Sequence, residues 1–216
     1  MSHLQPTGFL ANPASGGGPG LLVLHPWWGL TDTMKALCER LATEGFVAFA
    51  PDLYHGKVAA TIKDAEILSS SLKSEQVKAD LAHAVAFLSD LTAKGVRGLG
   101  VIGFSLGASY ALGLSVDDPD HIRAVVVFYG TRKGDYKRSK AAYLGHFADT
   151  DDYEPASDVN SLERALVTAG RPVTFFTYKG TGHWFFEQDR PDAYDQEAAQ
   201  LAWERTVPFL RNALSY

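Results

Sequence analysis

The segment 103–107 reads Gly-Phe-Ser-Leu-Gly, a Gly-x-Ser-x-Gly pattern with Ser105 at its centre. The apolar run 99–102 before it predicts a buried strand, and the small apolar run 108–114 after it predicts a packed helix. A direct turn from strand to helix strains the backbone of the corner residue and exposes its side chain. With both flanks present, the pattern predicts Ser105 as a nucleophile. A Gly-x-Ser-x-Gly pattern without such flanks is also typical of ordinary loops.

A serine hydroxyl is a weak nucleophile at neutral pH, so a histidine must take its proton, and in this arrangement the histidine follows the serine. Two of the seven histidines, His146 and His183, lie well downstream beside a strand-like run. His183 stands in a glycine-rich loop after the β-branched and aromatic run Val173–Tyr178, where open α/β sheets place their chemistry. We therefore predict His183 as the base, with a surface loop histidine as the alternative. His146 falls inside a predicted strand, which favours a structural role.

The acid that orients the histidine is expected on the loop after the preceding strand. That loop, 148–155, has three aspartates in four positions: Asp149, Asp151 and Asp152. Aspartate favours turns and helix starts, so an acidic loop is commonly only solvated turn chemistry. Spacing alone leaves all three open as the carboxylate that accepts the Nδ1 proton of His183.

An oxyanion hole needs N–H donors aimed at the carbonyl oxygen of the substrate. The first donor is expected to be the backbone N–H of Leu106, directly after the predicted nucleophile. The second normally comes from the loop after an earlier strand. The run 20–29, Gly-Leu-Leu-Val-Leu-His-Pro-Trp-Trp-Gly, contains such a strand and loop. We predict the amide of Trp27 as this donor, because Pro26 has no N–H.

Together these segments resemble the dienelactone hydrolase family of α/β-hydrolases over nearly the whole chain. The most specific segment is Ala-Pro-Asp-Leu-Tyr at 50–54, and the others are 21–30, 39–49, 101–107, 146–155 and 182–183. The resemblance implies an α/β-hydrolase fold and hydrolysis of an ester or lactone. It also implies Asp151 as the acid, since the family's acid stands four residues before a proline. His183 matches the family's histidine, and Leu106 and Trp27 match its oxyanion donors.

The chain departs from the family pattern at several positions. The founding enzymes have a cysteine nucleophile, and this chain has Ser105 at that position. The founding enzymes also have a glutamate that helps to activate the thiol, and this chain has Pro26 there. The two changes fit together, because a serine–histidine pair does not need that glutamate. The founding enzymes also bind a substrate carboxylate with arginines. Glu187 replaces one arginine, and the segment of another is shortened between Tyr54 and Val77. The resemblance therefore implies the family's chemistry on a different substrate, with an anionic substrate disfavoured.

Aromatic side chains are abundant in the predicted loops around these residues. They are Trp27, Trp28, Tyr54, Trp184, Phe185 and Phe186. Such residues often complete a core, but together with the missing arginines they favour a largely apolar, neutral pocket. The residues that we predict to contact the substrate are Trp28, Tyr54, Trp184 and Phe185.

The composition is that of an ordinary globular chain of one domain, residues 1–216, with 46% hydrophobic and 21% charged residues. A formal net charge of −5 argues against nucleic acid or an anionic membrane as a partner. No apolar run approaches the ~20 residues that span a bilayer, and no N-terminal stretch has the pattern of a signal peptide. The single Cys38 fits a reducing cytoplasm. We predict a cytoplasmic protein without cofactor or metal, and the oligomeric state stays open.

Strand and helix patterns alternate along the chain. The predicted strands are 8–11, 21–24, 47–50, 99–102, 124–128, 141–147 and 173–178. The predicted helices are 33–43, 74–93, 108–114, 159–169 and 193–213. This order predicts an α/β fold in which a single-domain, doubly wound, mostly parallel and right-handed sheet is flanked by helices. We expect no lid domain and an open site shaped by short loops.

These features lead us to expect a serine hydrolase that cleaves a small, neutral or apolar carboxylic ester or lactone through an acyl-enzyme. Alternatives stay open. An acyltransferase would keep the triad and pass the acyl group to an alcohol or amine. A binding or regulatory protein would keep the fold without turnover. A peptidase is disfavoured, because nothing in the sequence signals an extended peptide groove.

Overall fold

One sheet with helices on both sides forms the centre of the computed structural model, which describes residues 4–92 and 95–215. The strands are β1 (Gly8–Ala11), β2 (Gly20–Leu24), β3 (Val47–Pro51), β4 (Leu99–Phe104), β5 (Ile122–Phe128), β6 (Ala142–Ala148) and β7 (Val173–Tyr178). The helices are α1 (Asp32–Thr43), α2 (Ile62–Ser71), α3 (Ser74–Leu91), α4 (Leu106–Asp117), α5 (Ala156–Thr168) and α6 (Gln196–Leu214).

The strand order is β1-β3-β2-β4-β5-β6-β7, and every neighbouring pair is parallel except β1 with β3. Because β3 lies on one side of β2 and β4 on the other, the chain reverses its direction of winding at β2. Such a switch point leaves a crevice beyond the carboxyl ends of the strands, where ligands bind. The loops after β2 and β4 meet at this crevice, since Leu24 pairs with Gly103.

The central strands are buried on both faces, as expected of parallel strands covered by helices. In β2, Leu21 and Val23 belong to one hydrophobic cluster, and Leu22 and Leu24 belong to the other. The first cluster contains the buried residues of α1 and α6, and the second contains those of α3, α4 and α5. The sheet is therefore fixed from both sides, and the loops at its carboxyl end can carry functional groups.

The predicted α/β architecture is confirmed. The sheet is mostly parallel, and each predicted strand is present with ends within two residues of the prediction. Four predicted helices are present with ends that differ by up to three residues. The helix predicted to end at Ala93 ends at Leu91, and Ala93 itself lies outside the described residues.

Helix α2, which precedes α3, was not predicted from the sequence. Its apolar residues do not share one buried face: Ala65 is buried, whereas Ile62 is exposed. The helical periodicity is therefore weak. The signal that could have found α2 is its capping box, in which the Thr61 side chain accepts from the amide of Asp64 and the Asp64 carboxylate accepts from the amide of Thr61.

Candidate active site

Ser105 forms the corner between β4 and α4. Its backbone angles are φ 48° and ψ −111°, a combination that residues with a side chain rarely adopt. A Cβ at Gly103 would lie 2.4 Å from the carbonyl oxygen of Gly107, so the strand and helix approach this closely only because Gly103 lacks a side chain. The amide of Ser105 donates to the carbonyl oxygen of Phe128 at 2.9 Å, which ties the corner to β5. The strained corner predicted from the sequence is present.

Ser105, His183 and Asp151 form a continuous hydrogen-bonded chain. The Ser105 hydroxyl lies 3.0 Å from Nε2 of His183, and Nδ1 lies 2.8 and 2.9 Å from the carboxylate oxygens of Asp151. Because a carboxylate only accepts hydrogen bonds, Nδ1 donates to Asp151, which leaves the Nε2 lone pair to accept from the serine hydroxyl. The His183 and Asp151 side chains are 5% and 3% exposed. This arrangement can transfer a proton from Ser105 to His183.

The three aspartates of the loop after β6 have different surroundings. Asp149 accepts a hydrogen bond from the amide of Gly180 at 3.3 Å. Asp152 is exposed and lines a cavity. Asp151 is the aspartate whose carboxylate contacts His183. The structure therefore brings together the histidine and the aspartate that the family resemblance implied, where residue spacing had left three candidates.

Asp151 is held in its charged form by its hydrogen bonds. Burial by itself would raise its pKa. The hydrogen bond from His183 and the amides of Tyr153 and Glu154, each 2.9 Å from Oδ1, outweigh burial and hold the pKa of Asp151 below its ordinary value. A charged Asp151 can stabilise an imidazolium at His183.

Two tyrosine rings flank the imidazole of His183. The ring centroids of Tyr129 and Tyr153 each lie 4.9 Å from that of His183. Tyr129 is fully buried, and its hydroxyl donates to Oε1 of Glu187 at 2.8 Å. Neither tyrosine was predicted as a site residue, because neither belongs to a motif. The position of Tyr129, directly after β5, was the available signal, since strand ends at this edge carry functional groups.

Glu187 is a buried carboxyl group four residues after His183. Burial raises the pKa of Glu187 to about 8, against the smaller opposing effect of the hydrogen bond from Tyr129. The side chain is therefore mainly neutral at pH 7. Where the founding enzymes of the family have an arginine directed to substrate, this chain has a group that is directed into the core.

The N-terminus of α4 packs against the end of β2. A Cβ at Gly107 would lie 2.1 Å from the carbonyl oxygen of Leu24, so this approach requires glycine. It brings the first amide of α4, that of Leu106, close to the loop that carries Trp27. Within residues 4–92 and 95–215, neither of these two amides donates to a backbone acceptor. An N–H group at the positive end of a helix and a free amide of a neighbouring loop can together stabilise a developing negative charge.

His25 fixes the loop that leads to Trp27. Its fully buried imidazole donates from Nδ1 to the carbonyl oxygen of Pro26 at 2.7 Å and accepts at Nε2 from the amide of Leu53 at 3.3 Å. Burial lowers the pKa of His25, so the ring stays neutral with both nitrogens bonded. His25 thereby links the loop after β2 to the loop after β3. This role of His25 was not predicted from the sequence.

A cavity of about 450 Å³ adjoins His183, within the usual size range of small-molecule sites. Its aromatic lining comes from Trp28, Tyr153 and Trp184. The charged residues that line it are Asp152, Asp189, Arg190 and Asp192. The guanidinium of Arg190 lies over the ring of Trp28, 3.9 Å from its centroid. The pocket, predicted to be largely apolar, is therefore mixed: aromatic in part and charged in part.

The structure does not bring Phe185 and Tyr54 to this cavity. Phe185 is fully buried, with its ring centroid 5.5 Å from that of Tyr129 and 5.0 Å from that of Tyr178. Tyr54 is 5% exposed and packs against His25 at 5.0 Å. Both side chains complete the packing beneath the loops, because burial of large aromatic rings stabilises the fold. Of the predicted substrate contacts, Trp28 and Trp184 line the cavity.

His146 and Cys38 are buried away from the hydrogen-bonded chain of Ser105, His183 and Asp151. His146 is fully buried in β6, where its ring nitrogens contact the hydroxyls of Tyr178 at 2.7 Å and Thr206 at 3.0 Å, which confirms the predicted structural role. Burial lowers the pKa of His146 to about 3. Cys38 is buried in α1, and burial raises the pKa of its thiol to about 12, so it is unsuited to act as a nucleophile.

In the part of the chain that the structure describes, no three side chains of His, Cys, Asp or Glu are grouped so that they could hold a metal ion. None of the helices in that part combines the length and the apolar character that crossing a bilayer requires.

The fold and the site together define a class of protein. The arrangement is that of the α/β-hydrolase fold. The sheet is mostly parallel, a strained serine corner follows a central strand, and an acid and then a histidine follow later in the chain. Within that class, the chain belongs to the dienelactone hydrolase family, whose model matches residues 7–214. The membership implies hydrolysis of esters or lactones of small molecules.

Similar proteins span nearly the whole chain. It is 35% identical to Protein usf of Aquifex pyrophilus, over 96% of this chain and 94% of that protein. It is 30% identical to a protein of Aquifex aeolicus named as a candidate carboxymethylenebutenolidase, over 96% of this chain and 93% of that protein. The crystal structure of a candidate dienelactone hydrolase from Klebsiella pneumoniae subsp. pneumoniae superposes with a TM-score of 0.81 at 25% identity, over 93% of this chain and 90% of that one.

Proposed function

We propose that this protein is a serine hydrolase that cleaves a small carboxylic ester or lactone through an acyl-enzyme intermediate. The observation that carries the proposal is the unbroken hydrogen-bonded chain from the Ser105 hydroxyl through His183 to Asp151. A serine activated by an oriented histidine is the basis of nucleophilic acyl transfer.

In the proposed first step, Oγ of Ser105 attacks the carbonyl carbon of the substrate while Nε2 of His183 takes the hydroxyl proton. Asp151 holds the imidazole in the tautomer with a proton on Nδ1 and stabilises the imidazolium. His183 then gives the proton to the leaving oxygen. The alcohol of an ester departs at this point, whereas the hydroxyl freed from a lactone stays on the acyl chain. In the second step, His183 takes a proton from water as the water oxygen attacks the acyl carbon. His183 then gives that proton to Oγ of Ser105 as the bond between Oγ and the acyl carbon breaks, which releases the carboxylic acid and regenerates the Ser105 hydroxyl.

The negative charge on the carbonyl oxygen is proposed to be held by the amides of Leu106 and Trp27. Their lack of a backbone acceptor in the described part of the chain supports this role, as does the close contact of α4 with the end of β2 at Gly107. Loss of one such donor typically lowers turnover by roughly 10²–10³. His25 is proposed to keep the Trp27 loop in position.

The serine nucleophile is proposed in place of the cysteine of the family's founding enzymes. Ser105 occupies the corner position, and the one cysteine of the chain, Cys38, is buried away from it. A serine nucleophile needs its base within hydrogen-bond reach, and Nε2 of His183 lies 3.0 Å from the Ser105 hydroxyl. Pro26 stands where a thiol enzyme would need its glutamate.

The substrate is proposed to be neutral. The cavity beside His183 has three carboxylates, Asp152, Asp189 and Asp192, against the single guanidinium of Arg190. That guanidinium already lies over Trp28 and within 3.8 Å of Asp189. An anion in this cavity would therefore meet more repulsion than attraction.

The proposal is tested by hydrolysis of p-nitrophenyl acetate and of a neutral lactone by the native protein and by Ser105→Ala. We expect Ser105→Ala to lower kcat/KM by at least ~10³-fold on both. Ser109→Ala is the matched control, because Ser109 lies one helical turn further along α4 and outside the hydrogen-bonded chain. Full activity in Ser105→Ala, or none in the native protein, would contradict the proposal.

A further inference from the structure

Trp184, the residue after His183, has a backbone conformation that its side chain disfavours. Its φ is +67°, in the left-handed region that suits glycine. The turn that requires this angle is closed by the amide of Glu187, which donates to the carbonyl oxygen of Trp184 at 2.9 Å. A bulky residue kept in a strained position beside a proposed catalytic group suggests that the side chain itself is needed there.

The indole of Trp184 is held by its neighbours. Its ring centroid lies 5.4 Å from that of Trp28, 5.2 Å from Tyr153 and 5.0 Å from His183, and the ring stacks with Trp27 at 6.2 Å. These contacts give the ring little freedom to turn away. The indole is therefore a fixed part of the lining of the cavity of about 450 Å³.

The position of this cavity indicates which part of the substrate would enter it. His183 is among the described residues that line the cavity, whereas Ser105 and the proposed oxyanion donors Leu106 and Trp27 are not among them. In the proposed mechanism the acyl carbon lies between Ser105 and those donors, and His183 gives its proton to the leaving oxygen. A cavity that borders the base, and neither the nucleophile nor the oxyanion donors, fits the leaving alcohol better than the acyl group.

We propose that this cavity receives the alcohol part of the ester, and that Trp184 is a specificity-determining residue whose indole limits the size of that alcohol. The inference rests on the proposed function and adds which part of the substrate the cavity selects. Since the other aromatic walls, Trp28 and Tyr153, contact the indole, removing it would extend the cavity without opening a new one.

Two ester series test this proposal. In the first, the acetates of ethanol, butanol, hexanol and octanol vary the alcohol. In the second, p-nitrophenyl acetate, butyrate, hexanoate and octanoate vary the acyl group. Each series is measured as kcat/KM with the native protein, Trp184→Gly and Trp184→Phe. Glycine suits the backbone angle, and phenylalanine keeps an aromatic contact, so at least one variant is expected to fold.

We expect the octyl-to-ethyl acetate ratio of kcat/KM to rise at least ~10-fold in Trp184→Gly, mainly through KM, and by less in Trp184→Phe. The acyl series is expected to keep its native profile. His55→Gly is the matched control, because His55 also has a positive φ of 51°, is exposed and does not line the cavity. Relief of strain alone would act in both glycine variants, whereas the change in alcohol preference is expected only at Trp184.

An unchanged alcohol profile in both folded Trp184 variants would overturn the inference, and so would a change confined to the acyl series. The proposed function would still stand in these cases, because the native protein would hydrolyse both series and Ser105→Ala would not. If the native protein hydrolysed neither series, the proposed function would fail and this inference would fail with it.

Discussion

Asp149 and Asp151 stand two residues apart in one loop, yet their carboxylates bind different partners. Asp151 accepts from His183 at 2.8 Å, and Asp149 accepts from the amide of Gly180 at 3.3 Å. Both are short acidic side chains on the same turn, so a difference between their variants would measure the contact with the imidazole rather than the charge of the loop.

We predict that Asp151→Asn lowers kcat by roughly 10³–10⁴, because an amide in place of the carboxylate no longer fixes the tautomer of His183 or stabilises its positive charge. Asp149→Asn is the control and is expected to stay within a few-fold of the native rate. The measurement is kcat on p-nitrophenyl acetate at pH 7 for both folded variants. The reverse result would move the acid to Asp149.

The residues of the site differ in how far the sequence could predict them. Ser105 was predictable because its spacing and flanks encode the corner locally, and His183 because a glycine-rich loop follows a clear strand pattern. Spacing could not choose Asp151 among three aspartates. The position of Tyr129 after β5 was a signal, but its partners could not be predicted, because its contact with His183 and its hydrogen bond to Glu187 arise only when loops distant in sequence pack together.

At the scale of the elements, the contact between α4 and β2 decides where the amide of Leu106 points. Gly107 lies where any Cβ would meet the carbonyl oxygens of Leu24 and His25 at 2.1 and 2.6 Å. Backbone atoms at such distances cannot move away independently, so a side chain at this position has to push α4 off the sheet.

We predict that Gly107→Ala lowers both the melting temperature and kcat, since the displaced helix would carry the Leu106 amide away from the carbonyl oxygen of the substrate. The loss in kcat is expected to reach roughly 10²-fold, the size of a lost oxyanion donor. Thermal unfolding and ester hydrolysis check the two effects. Gly17→Ala is the control, because a Cβ at Gly17 would meet nothing within 4 Å. Native-like activity in Gly107→Ala would contradict this role of the close contact.

The elements themselves were largely predictable, because strands buried on both faces give apolar runs and the covering helices give clear periodicity. The exception, α2, illustrates the limit. It has Ala65 as its buried residue and therefore little hydrophobic pattern, and its capping box at Thr61 is the local signal that remains. Weakly packed surface helices are encoded at their ends rather than along a face.

At the scale of the whole molecule, the stability of the fold is linked to the protonation of Glu187. The carboxyl group is buried against Tyr129, and its pKa is raised to about 8, compared with an ordinary 4.5. Between these two values the folded protein keeps a proton that the unfolded chain releases. Folding therefore becomes less favourable as pH rises through this window, by up to about 1.4 kcal/mol per pH unit for one proton.

We predict that the free energy of unfolding of the native protein falls between pH 5 and pH 8 more steeply than that of Glu187→Gln. Glutamine keeps an acceptor for the hydroxyl of Tyr129 but cannot ionise. Chemical denaturation of both proteins at several pH values gives the difference, which removes the contribution of groups that the two proteins share. Parallel pH profiles would show that Glu187 is not buried as a neutral acid.

The most direct test of the proposed chemistry is covalent labelling with a fluorophosphonate, which reacts with activated serines. The native protein and Ser105→Ala are treated alike, and the adduct is located by mass spectrometry. We predict one adduct on Ser105 in the native protein, none in Ser105→Ala, and much slower labelling in a His183→Ala variant, because the hydroxyl then lacks its base. An unlabelled but folded native protein, or an adduct at another serine, would contradict Ser105 as the nucleophile.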